Sequence, residues 1–161
     1  MVYDQLALSN GVIFLHTFEI LDNKMKQGII NLQQGKKGID GKAELDAALF
    51  VSVIVNGSLA CELLLKSMTP TIKKEHHIDD LFSLLDSETK NAIEVLTVEK
   101  MKKTNVSYCS QDFYDDLTKN AKLFTEWRYF HECKGTLNAN HPFISALAKS
   151  LFSVANNEDK K

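Results

Sequence analysis

The sequence predicts an all-α fold, an up-and-down bundle of five to six helices, on three observations. Apolar residues recur at three- and four-residue spacing over long stretches. Helix breakers are few, with two Pro and seven Gly among 161 residues. Turn-bounded runs of alternating apolar and polar residues, the mark of half-buried strands, are missing. With 44% hydrophobic residues the chain has ample material for one core. A single domain is expected over residues 1–156, with a frayed, charged tail at 157–161.

The first helix is expected over residues 12–33, where Leu15, Phe18, Leu21, Met25 and Ile29 keep helical spacing. Gly35, Gly38 and Gly41 end it in a connector. The second should run over 44–68 and stop before Thr69-Pro70. Its stretch 48–65 is apolar on nearly every side, which predicts a central, buried helix. A short third helix follows at 78–85. A fourth is expected at 87–102, opened by Ser87-Glu88 and closed near Lys100, Lys102 and Lys103. The fifth, 111–133, has no Gly or Pro to interrupt it. The sixth starts near Asn140-His141 with Pro142 in its first turn, and should turn Phe143, Ile144, Leu147, Leu151 and Phe152 inward.

Composition narrows the function. A formal charge of −2 speaks against a dedicated, electrostatically driven DNA-binder. Cys61, Cys109 and Cys133 lack metal-like spacing, and the opening residues lack a signal-peptide pattern. Reduced thiols and a cytoplasmic location are therefore expected. The run 47–65 is nearly long enough to cross a membrane, but Asn56-Gly57 and Glu62 interrupt it, so no membrane partner is expected.

The candidate chemistry centres on Arg128 and His131. In an unbroken fifth helix both share a stripe with Phe113, Leu117, Ala121 and Phe124, which should face the core. A buried guanidinium needs a partner, so Arg128 should either clamp a carboxylate or line a pocket for an anion. Glu62 is the candidate carboxylate, on a line with Ser58 and Lys66 through apolar sequence. An exposed Glu62–Lys66 pair is the competing reading. The segment 73–80, with His76, His77, Asp79 and Asp80, invites a metal. No Glu-x-x-His pair or zinc signature accompanies it, so neither metal nor other cofactor is expected. The glycine loop fails the phosphate-loop pattern, since Lys42 is followed by Ala43.

Three segments together resemble the HEPN superfamily of small helical-bundle domains. Glu62, Leu65 and Lys66 are similar to its recurrent Glu-x-x-Leu-Lys segment. His76 to Phe82 is similar to the His-Asp-Leu and Leu-Phe step that opens its third helix. Trp127, Arg128 and Tyr129 resemble a Trp-Arg-Tyr ending found in some branches. The resemblance covers residues 45–152. It implies a helical bundle that often pairs as a homodimer. Its members act as metal-independent ribonucleases in toxin–antitoxin and phage-defence systems, or as non-catalytic nucleotide- or RNA-binding partners. Nuclease branches carry an Arg followed four to six residues later by a His. Here the only Arg is Arg128, and His131 follows three residues on. The expectation is thus a non-catalytic nucleotide- or RNA-binding accessory domain, with Glu62, Lys66, His76, Arg128 and His131 gathered in one polar cluster. A ribonuclease using the Arg128–His131 pair is the enzyme alternative. A structural interaction protein, bound to itself or to another protein, is the third.

Overall fold

The computed structural model describes residues 4–36, 41–70, 74–132 and 136–158. It is all-helical, as the periodicity predicts, with no strand among the described residues. Among the described residues the expected second and fifth helices are each divided in two. The helices are α1 (Gln5–Gln33), α2 (Lys42–Ala47), α3 (Phe50–Ser67), α4 (Ile78–Ser83), α5 (Ser87–Met101), α6 (Ser110–Lys119), α7 (Leu123–Arg128) and α8 (His141–Glu158), with a 3₁₀ turn at Phe130–Glu132.

α1 starts seven residues earlier than the apolar stripe suggests, because Asp4 caps it. The Asp4 carboxylate accepts the backbone N–H groups of Leu6 and Ala7, both at 3.0 Å. Leu8, Leu15, Phe18 and Met25 are buried at helical spacing, whereas Ile29 is exposed. Gly28 explains that shift. A Cβ there would lie 2.6 Å from the backbone nitrogen of Ala47, so α2 packs directly on the bare glycine. This docking, with Ala43 buried, separates α2 from α3 although no Gly or Pro stands between them. Leu49 N–H bonds Asp46 at 3.3 Å in a tightened turn before α3 begins.

α3 is the central helix and packs on α1, α4, α7 and α8. Its burial is uneven. Gly57, Ala60, Cys61, Leu64 and Leu65 are buried, but Ala48 and Ser52 are exposed, so the all-round burial expected over 48–65 holds only for its second half. Residues 42–67 are long and apolar enough to span a membrane by composition, and half of the richest window is buried in the bundle. α5 and α8 pack together on the other side of the core. α8 turns Phe143, Ile144, Leu147 and Leu151 inward, while Phe152 is half-buried. α8 is described to Glu158; 159–161, the rest of the expected tail, lie outside the described residues, as do Gly38, Lys73 and Cys133.

α5 is capped by Asp86 and not by Ser87. The Asp86 carboxylate accepts from Thr89 N–H at 2.9 Å and from its hydroxyl at 2.8 Å. These bonds, the backbone one first, hold the carboxyl below the usual carboxylate range. A depressed folded pKa stabilises above the unfolded value of ~3.9 and is lost as pH falls through the folded one. Asp86→Ala should therefore cost about 1 kcal/mol near neutral pH. Urea titrations should show that difference shrinking toward zero in strong acid.

Candidate functional site

The expected fifth helix breaks, and the break decides where Arg128 points. α6 stops at Asn120, whose side-chain amide donates to Asp116 O at 2.6 Å. The Asn120 carboxamide oxygen accepts Asn140 N–H at 3.0 Å, and Asn140 donates to the Asp116 carboxylate at 2.9 Å. This network turns the chain at residues 120–122 and resets the register of α7. Leu123 and Trp127 are buried there, and Trp127 meets Phe50 of α3 edge-on at 5.4 Å. Arg128 is exposed. The expectation of an inward Arg128 clamping Glu62 is therefore corrected, because a continuous 100° advance from Phe113 does not exist.

Glu62 is nonetheless buried, at 2% exposure. One of its oxygens, Oε1, receives Lys66 Nζ at 2.7 Å and His76 Nδ1 at 2.9 Å. The i, i+4 spacing on α3 supplies Lys66. A local device supplies His76. The Glu75 carboxylate accepts the backbone N–H groups of His77 and His76, at 2.9 and 2.8 Å, and curls the chain ahead of α4. Those two bonds hold Glu75 below the usual carboxylate range. Ile78 N–H then bonds Ala121 O at 3.1 Å, tying this segment to the end of α6.

Of the five residues expected to gather, three touch directly: Glu62, Lys66 and His76. Arg128 joins through an aromatic ring. The His76 ring lies 6.4 Å from that of Phe124, and the Arg128 guanidinium sits 5.8 Å from the Phe124 centroid and 5.1 Å from that of Tyr129. His131 faces solvent instead, 3.5 Å from Glu132 and edge-on to Phe130 at 6.0 Å. Tyr129 and Phe130 are 45% and 48% exposed. The outer surface of α7 and its following turn thus combines aromatic rings with a guanidinium and two imidazoles.

A second polar group escaped the sequence reading. Asp22 is buried on the inward stripe of α1, between Phe18 and Met25. It receives Lys26 Nζ at 2.7 Å and lies 2.9 Å from His141 Nε2, at the start of α8. An acidic residue at Phe18+4 and Met25−3 was the available signal; its partner lies at the far end of the chain.

Glu75, His77 and Asp80 place three ligand atoms within 4.8 Å of one another, a grouping with metal-ligand spacing on the surface. Cys61 is no nucleophile: burial pushes its thiol up to about 12. Cys109 is exposed. No family model, curated protein or solved structure matches this chain.

Proposed function

We propose that this domain is a HEPN-like accessory module that binds single-stranded RNA on the α7 face without cleaving it. The exposed Tyr129 ring beside the Arg128 guanidinium, with the exposed Phe130 ring next in the chain, carries the reading. Unstacked bases pack on aromatic and guanidinium planes, and cations hold the adjoining phosphates. Lys66 and His76 border the same face, fixed by the buried Glu62. A toxin–antitoxin or phage-defence context follows only from the resemblance.

Fluorescence anisotropy with labelled oligouridine tests it. Tyr129→Ala and Phe130→Ala should each weaken binding by about 10- to 100-fold, the usual loss on removing one stacking ring. Arg128→Ala should weaken it comparably while leaving the thermal melt nearly unchanged, because the side chain is exposed. Undiminished affinity in all three variants would remove this face from consideration. Cleavage is checked with the same RNA in EDTA. A general acid or base contributes about 10²–10⁴-fold in rate. EDTA-resistant cleavage that vanishes in His131→Ala would establish the ribonuclease reading instead.

The homodimer belongs to the same proposal. Leu6, Ile13 and Ile20 stand seven residues apart on α1 and are exposed, the spacing of a seam that meets another helix. Light scattering at micromolar concentration should give about twice the 18.1 kDa chain mass. Ile13→Lys should restore the monomer; a wild-type monomer at high concentration refutes the pairing.

A further inference from the structure

A cleft of about 480 Å³ opens where α1, α5 and α8 meet, on elements that take no part in the α7 face. Four lysines line it: Lys26 from α1, Lys100 at the end of α5, Lys103 just beyond that end, and Lys149 from α8. His141 stands at its edge. No carboxylate lines the cleft among the described residues. Two of the lysines have acidic neighbours outside the lining: Lys26 reaches Asp22, and Lys149 approaches Glu19 at 3.7 Å. Lys100 and Lys103 form no ion pair among the described residues. Lys100 Nζ makes a long contact to Leu96 O, at 3.5 Å.

Convergent ammonium groups repel one another, and a bundle gains nothing from placing them together. Burial, with Lys103 and Lys149 nearby, pulls the Lys100 ammonium below its ordinary range despite the opposing pull of Glu99. An anion in the cleft would reverse that penalty. Asp22, buried behind the cleft, takes Lys26 on one carboxylate oxygen and lies 2.9 Å from His141 Nε2 through the other. The lining also has an apolar part, from Met101, Pro142 and Ala146. The volume falls within the range of small-molecule sites.

We infer that this cleft binds an oligophosphate, a chain of two or more phosphoryl groups, free or carried on a nucleotide. Separate ammonium groups suit such a chain because each can take a different phosphoryl group as a point charge. A single compact anion would meet only one or two of them.

Isothermal titration of the full chain with inorganic tripolyphosphate, ATP and orthophosphate tests the inference. Tripolyphosphate and ATP should both bind, orthophosphate much more weakly, with affinity falling as salt rises. Equal affinities identify the bare chain as the determinant. Tighter binding of ATP identifies a nucleotide that also uses the apolar part of the lining. Lys100→Gln and Lys149→Gln remove the charge but keep a polar side chain and should each weaken binding by about tenfold. Arg128→Ala should leave it unchanged, which separates this site from the RNA face. The inference is overturned if neither ligand binds at millimolar concentration, if ATP binds and tripolyphosphate does not, or if the glutamine variants bind as the wild type does.

Discussion

Phe113→Ala should lower the unfolding free energy by about 3–5 kcal/mol and the melting temperature by roughly 10–15 °C. Phe113 is completely buried where three helices meet. Its ring faces Phe82 of α4 at 5.5 Å, Phe143 of α8 at 5.9 Å and its neighbour Tyr114 at 5.1 Å, all edge-on. Removing it takes away both the transferred area and these aromatic contacts. Rings held from separate helices cannot all move into the space left behind, so the cost should sit at the upper end for a large-to-small change. Urea unfolding monitored by Trp127 fluorescence measures it. A loss under about 1 kcal/mol would mean that the junction collapses freely, contrary to the packing described.

Lys66→Ala should be nearly as damaging, costing about 3–5 kcal/mol, because it takes from the buried Glu62 its closest cation. The Glu62 side chain is 3% exposed and that of Lys66 14%, so water offers little replacement. Lys66→Met combined with Glu62→Leu removes the charge from both positions. That double variant should recover most of the loss, since apolar residues of similar volume commonly match a buried ion pair. Equal instability in the single and double variants would show that the helix face itself, and not the stranded carboxylate, is sensitive. The cluster would then have another role than the electrostatic one described here.

Sequence patterns revealed the bundle where local periodicity and burial agree. α8 begins where its start signal places it, α5 begins at the expected residue although Asp86 caps it, and Leu15, Phe18 and Met25 mark the inner face of α1. They misled where tertiary contacts override local preference. The split between α2 and α3 follows from a close approach to Gly28, and the split between α6 and α7 from the Asn120 network. Neither partner is near in sequence. The second break also explains the Arg128 error, since one lost residue of helical phase rotates every later side chain by about 100°. Within the candidate site, Glu62 and Lys66 are legible as an i, i+4 pair. His76 meets them through a fold in the chain that spacing alone does not encode. Asp22 and His141 join opposite ends of the sequence, and only the three-dimensional packing brings them together.

The Asn120 carboxamide has a kinetic implication. It fastens the end of α6 to Asn140, just before α8, and so closes a loop of twenty residues that contains α7 and the surface around Arg128. The α7 helix, pinned at this base, can open and reclose as a cooperative unit while α1, α3 and α8 stay folded. Amide hydrogens in α7 should then exchange faster than those of α3. On the RNA-binding proposal, added single-stranded RNA should slow them selectively, leaving the protection of the central helices unchanged. Asn120→Ala would loosen the pin, raising the opening frequency of this one segment ahead of any change in global unfolding.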